Sequence, residues 1–205
     1  MLRVHSSMVT ADLPRLSAQM SFLLAADGLK KVLRGNRIGD GSRRENSAEH
    51  SWHVGLMAMV LVEYGPHPLD IGRVLQLLTV HDLVEVYAGD TMIYDEESRL
   101  GQAEREALAA KELFGHLPDD QHAQFESLWS EFELASSPEA RFSRAVDALA
   151  PTWLHWGEHS KCQPENLTAG QILEKKTQWL APYPVLLEMM KKIVSAAVDR
   201  GLIGA

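Results

Sequence analysis

Two stretches interrupt apolar runs with groups able to bind a metal or move a proton. Thr79-Val80-His81-Asp82-Leu83-Val84 carries an imidazole beside a carboxylate, and Ala145-Val146-Asp147-Ala148-Leu149-Ala150 carries a single carboxylate. An unpaired carboxylate is costly to bury, so each needs a cation, donors or a metal. His50 is a further candidate ligand, because its neighbour Glu49 can serve a helix cap and leave the imidazole free. His50, His81, Asp82 and Asp147 together offer imidazole nitrogen and carboxylate oxygen, a mixture that suits Mn²⁺, Fe²⁺, Co²⁺, Ni²⁺ or Zn²⁺. Four such ligands on a six-coordinate ion leave positions for water or a substrate oxygen, as metal-assisted hydrolysis requires. Glu85 follows His81 by four residues and Asp82 by three. On a helix it shares their side, where a carboxylate can orient water or carry a proton. Asp90, after Gly89, is a candidate second acid, a substrate-hydroxyl acceptor or a turn residue. Each residue also has a plainer role open to it: Asp82 as a cap, Asp147 paired with Arg144, His50 and Glu85 on the surface.

The elements that must position these groups read as helices. Leu13 to Ala26 is a first helix, stopped by Asp27-Gly28. Arg34 to Arg44 holds three glycines and four arginines and reads as turns. Asn46 and Glu49 have capping-box spacing, with Ser47 an alternative cap. After them Val54, Met57, Ala58 and Leu61 recur with helical period, while Trp52, Leu56 and Met59 fill a second face, so this helix is expected to be central. Further helices are expected over 70–88, 96–114 and 119–134, then from Pro138, where Pro151 should kink or end the segment. Two more follow over about 169–180 and 184–200. Helices joined by short turns predict an all-α bundle.

The chain has 205 residues, 45% of them hydrophobic, enough for one core and one domain over 1–205. Its apolar run Val54 to Val62 falls far short of the roughly 20 residues of a membrane span. A formal net charge of −8 argues against DNA or RNA as a partner, since duplex binding draws on phosphate neutralisation. A small phosphorylated substrate needs only a local positive site. The single cysteine, Cys162, excludes internal disulfides and thiolate-rich zinc sites. The apolar patch Phe22 to Ala26 is too short for a secretory leader, so a cytoplasmic setting is expected.

The order of these motifs resembles the HD-domain metal-dependent phosphohydrolase superfamily. Arg44-Glu45-Asn46-Ser47-Ala48-Glu49-His50-Ser51 and His81-Asp82-Leu83-Val84-Glu85-Val86-Tyr87-Ala88-Gly89-Asp90 are similar to signature stretches of its small 5′-deoxynucleotidase-like members. The stretch from Glu106 to Phe114 with Leu117-Pro118, and Ala145 to Leu149, fit in the same order. The resemblance covers about 20–155 and implies a single-domain HD-type bundle with C-terminal helices over 165–205 packed on it. It also implies a homodimer, and one divalent ion on His50, His81, Asp82 and Asp147. The implied reaction is hydrolysis of a nucleoside 5′-monophosphate, with Glu85 at the water and Asp90 a second acidic site position. One departure stands out. Characterised deoxynucleotidases of this group carry an Arg-Trp pair upstream of Glu-His, and this chain has no tryptophan between Met1 and His50. Arg34 and Arg43 are the candidate phosphate contacts instead, and preference for a deoxy sugar is left open, as is another small phosphomonoester. Two other readings are a dinuclear phosphodiesterase or oxygenase using His116 or His122, and a non-catalytic metal- or nucleotide-binding protein. His53, and the cluster Trp153, His155, Trp156 and His159, are expected to serve packing.

Overall fold

The computed structural model describes residues 6–162 and 165–205, with side chains from Asp12 onward. Helix α1 (Ser6–Ala26) runs through a short 3₁₀ turn into a two-stranded hairpin, β1 (Leu33–Arg37) and β2 (Arg44–Asn46). The strands are antiparallel, with Leu33 opposite Asn46 and Arg37 opposite Arg44. Helices α2 (Ser47–Leu61), α3 (Ile71–Val80), the single turn α4 (Glu85–Ala88), α5 (Gln102–Phe114) and α6 (Asp119–Leu134) follow. They lead to α7 (Pro138–Trp156), α8 (Ala169–Leu180) and α9 (Pro184–Asp199).

Helix α7 is the pillar, contacted by α2, α3, α6, α8, α9 and β1. It buries Phe142, Ala145, Val146, Leu149, Ala150 and Trp156 against Val54 and Met57 of α2, Val74, Leu77 and Leu78 of α3, and Met190 and Val194 of α9. Burying each large apolar side chain is worth about 1.5–3 kcal/mol, which fixes how the helices carrying polar site groups meet.

Five expectations need correction. Arg34 to Arg44 is not all turn: it forms most of the hairpin, whose β1 is tied to distant groups by Gly35 N–H donating to Asp90 and Arg37 N–H to His155 Nδ1. The helix expected over 70–88 breaks after Val80. There Leu83, Glu85 and Val86 amides bond the carbonyls three residues back, and the tightened turn carries His81 and Asp82. Helix α5 starts at Gln102 rather than near Glu96, because Asp95 accepts from Ser98 N–H and Gly101 adopts a left-handed φ of 69°. Pro151 neither ends α7 nor separates Trp156 from it. Helix α2 is also less enclosed than expected: Val54, Met57 and Ala58 are buried, while Trp52, Leu56 and Met59 face outward.

Candidate functional site

Each candidate ligand is positioned by a local device. Asn46 Oδ1 accepts from Glu49 N–H at 3.0 Å while Asn46 N–H donates to Glu49 Oε1 at 2.8 Å, so the expected capping box forms and sets the first turn of α2. His50, next in that turn, is wholly buried. His81 stands at the break after α3, and its Nδ1–H donates to Leu78 O at 2.8 Å. A carbonyl can only accept, so Nδ1 carries a proton, and it is the neutral form of the ring that offers a lone pair on Nε2. That Nε2 is buried without a hydrogen-bond partner. Asp147 projects from the middle of α7. Pro151, four residues on, has no N–H for the Asp147 carbonyl.

The structure brings His50, His81 and Asp147 together, with ligand atoms all within 4.8 Å of one another. His50 Nε2 is 2.9 Å from Asp147 Oδ1, and His81 Nε2 is 3.8 Å from the same oxygen. Asp82 lies beside them, with Oδ1 3.1 Å from His81 Nε2 and Oδ2 3.9 Å from His50 Nε2. Its Oδ2 also accepts from Arg34 at 2.7 Å. These donors suit a divalent ion: a buried imidazole lone pair with nothing to meet, a second imidazole and carboxylate oxygens on separate elements.

The cluster opens on a cavity of about 500 Å³, within the range of small-molecule sites. Arg34, His81, Asp82, Glu85, Asp90 and Asp147 line it. Glu85 is buried and accepts from Ser47 Oγ at 2.5 Å. Burial, reinforced by the charge of Asp82, pushes Glu85 up to about 9 against the pull of Arg34. Burial likewise raises Asp90. Burial opposes ionisation of Asp82 and Asp147 too, yet both are held below the ordinary carboxylate range, Asp82 by His81 and Arg34, Asp147 by its hydrogen bond to His50 and the charge of His81. Burial and Arg34 work against a charged His50, but Asp147 and Glu45 outweigh them and raise it. One site thus separates two acids that stay ionised from one that keeps its proton, a division suited to acid–base work.

Arg34 is nearly enclosed, with Asp82 at 2.7 Å, Glu45 at 3.6 Å and Asp90 at 4.0 Å. The structure does not bring Arg43 to the cavity. Its guanidinium makes a two-point contact with Glu49 at 2.5 and 2.8 Å, so it braces the helix cap. Arg144 pairs with Glu133 rather than Asp147. His116 meets Tyr87, His122 lies 3.6 Å from Glu126, and neither lines the cavity. The late aromatic cluster divides. Trp153 lies half-exposed against His53 and His159, whereas His155 and Trp156 are buried and line the cavity.

Two site residues escaped sequence reasoning. Glu45, buried at the end of the hairpin, has Oε2 3.4 Å from His50 Nδ1 and accepts from Asn36 at 2.7 Å. A carboxylate behind an imidazole in this way matches the arrangement that commonly orients a metal-ligating ring. Lys176 of α8 is buried in the cavity wall and donates to Ala148 O at 2.9 Å. Its burial pulls it down to about 8 although Asp147 acts the other way.

The HD domain family model matches residues 26–184, and the chain belongs to that family. Among solved structures it is similar to a predicted metal-dependent phosphohydrolase from Magnetospirillum magnetotacticum, 40% identical, with a TM-score of 0.83 and coverage of 93% of this chain and 96% of that one. An HD-domain phosphohydrolase from Listeria innocua, 18% identical with a TM-score of 0.60, shares the fold over 90% of this chain and 92% of its own. Among curated relatives, the human 5′-deoxynucleotidase HDDC2 is 31% identical over 129 residues, 62% of each chain. The 5′-deoxynucleotidase hdd1 of Schizosaccharomyces pombe is 26% identical over 131 residues, 62% of this chain and 65% of its own. The match thus spans less than two thirds of these curated relatives. Among the described residues no helix is long and apolar enough to cross a membrane.

Proposed function

We propose that this chain is a metal-dependent phosphohydrolase that cleaves nucleoside 5′-monophosphates, deoxyribo- or ribo-, or a similar small phosphomonoester, to the alcohol and phosphate. The observation that carries the reading is the unpartnered Nε2 of His81 beside His50 and Asp147, in a cavity that also holds Glu85 and Arg34. His50, His81, Asp147 and Asp82 would hold one divalent ion, Mn, Co, Fe, Ni or Zn by the chemistry of the donors. Such an ion supplies Lewis-acid polarisation of a phosphoryl oxygen and lowers the pKa of water. The chain supplies the rest. Arg34 holds a phosphoryl oxygen. Glu85, which keeps its proton, orients the attacking water and passes that proton to the ester oxygen as its P–O bond breaks, while the water's proton replaces it as the new P–O bond forms. Asp90, anchored by Gly35 N–H, is available to a substrate hydroxyl. Glu45 keeps the His50 ring oriented. The deoxynucleotidase relatives support the substrate class.

We further infer that residues 1–205 form one HD domain, acting in the cytoplasm as a homodimer and without nucleic acid. The test is phosphate release from a panel of ribo- and deoxyribonucleoside 5′-monophosphates by metal-stripped protein resupplied with Mn²⁺, Co²⁺, Mg²⁺ or Zn²⁺. Metal-dependent release should fall about 10²–10⁴-fold in Glu85→Gln. An ion bound tightly with no release from any ester would leave a binding role.

A further inference from the structure

The cavity wall contributed by α8 holds a charge that the scheme above does not use. Lys176 is 4% exposed, and its one hydrogen bond goes to the neutral carbonyl of Ala148. Among the described residues no carboxylate lies within ion-pair distance of it. The other cations lining the cavity are engaged differently: Arg34 with Asp82, Arg144 with Glu133, Lys175 with Glu96, and the exposed Arg99 with the Ile93 carbonyl. Burying an ammonium without an opposite charge is strongly unfavourable, and a neutral residue would cap Ala148 O at less cost. The position is also one where the helix asks for an apolar residue, since Ile172 and Leu180, one turn to either side, are both fully buried.

We propose that Lys176 is an anion contact of the site, donating its two remaining N–H groups to the non-reacting phosphoryl oxygens of a phosphomonoester or of product phosphate, from the α8 wall as Arg34 does from β1. This rests on the phosphohydrolase reading. A divalent ion would balance Asp82 and Asp147, so Arg34 and Lys176 are the buried cations left for an arriving dianion. Its backbone anchor keeps the ammonium in one orientation, which an ion pair with a flexible surface acid would not.

The test compares wild type, Lys176→Met and Lys176→Gln, all loaded with Mn²⁺, by calorimetric titration with inorganic phosphate and by thermal melting. Both variants should bind phosphate about 10- to 100-fold more weakly, the loss expected for one charge-assisted contact. On an active ester their KM should rise by a similar factor. Their melting midpoints should equal or exceed that of wild type, since a buried charge is removed. A lysine that merely ties α8 to α7 gives the reverse pattern, a lowered midpoint with unchanged phosphate affinity, and overturns the proposal. Lys176→Gln keeps a donor for Ala148 O, so full phosphate affinity in that variant overturns it as well. Failure of the two readings is separable. Turnover that survives unchanged in both variants removes Lys176 alone, whereas Lys176-dependent phosphate binding without turnover of any ester removes the enzyme reading and keeps the anion site.

Discussion

A proton and a divalent cation compete for the space between His50 Nε2 and Asp147 Oδ1. At 2.9 Å the two atoms share a hydrogen, and the carboxylate raises the imidazole above its ordinary range. Ligation needs the neutral ring, so binding an ion must expel that proton. Affinity is therefore full at pH values above the raised His50 value and falls as pH drops through it. Between pH 8 and pH 5.5 it should weaken roughly tenfold or more. Calorimetry in two buffers of different ionisation heat should count a released proton, and a pH-independent affinity would contradict this arrangement. The residues of this cluster were legible because each interrupts an apolar run or follows a cap. Glu45 was not, because it sits in a polar stretch whose pairing exists only in the hairpin. Lys176 had a readable signal, a charge in step with Ile172 and Leu180, but one lysine on an amphipathic helix reads as a solvated edge. Arg43 misled for the converse reason: an arginine in a glycine-rich loop suits phosphate, and only the folded chain shows it committed to Glu49.

A helix start decides where one candidate ligand stands. His50 lies one residue beyond the Asn46–Glu49 box, so loss of the box should disturb both stability and metal binding. Asn46→Ala should cost about 0.5–2 kcal/mol in urea unfolding and weaken metal affinity in the same variant. Unchanged stability would mean that the Arg43–Glu49 pair holds the helix start alone. The long helices were readable because each keeps an apolar stripe at helical spacing. The hairpin was not, since Leu33-Arg34-Gly35-Asn36-Arg37 shows no alternation and its strands are held by side chains and amides from distant parts of the chain. The break after Val80 was hidden too, because the apolar run continues through Leu83-Val84 while the hydrogen bonds change from four-residue to three-residue spacing. A proline inside a helix ordinarily kinks or ends it, and here the surrounding helices hold α7 through Pro151.

For the whole molecule the question is what covers its outer apolar faces. On α1, Leu16, Met20, Leu23 and Leu24 are exposed, and on α2, Trp52, Leu56, Met59 and Val60, with Trp52 at 69% and Leu24 at 77%. Two helical stripes of this kind exceed the scattered apolar residues of an ordinary monomer surface. If the proposed homodimer uses them, light scattering should give twice the chain mass, and Leu56→Glu with Val60→Glu should halve it while leaving the helical content unchanged. A wild-type monomer at all concentrations would remove the dimer. The candidate metal cluster is also a chain fastening. His50 and Asp147 are 97 residues apart in sequence. An ion held by both is a reversible cross-link that exists only in the folded chain, a clasp set by ion supply as a disulfide is set by redox poise. Each tenfold rise in free ion above its dissociation constant adds about 1.4 kcal/mol to the native state. The fraction of chains standing folded then becomes a gauge of the ion level around them.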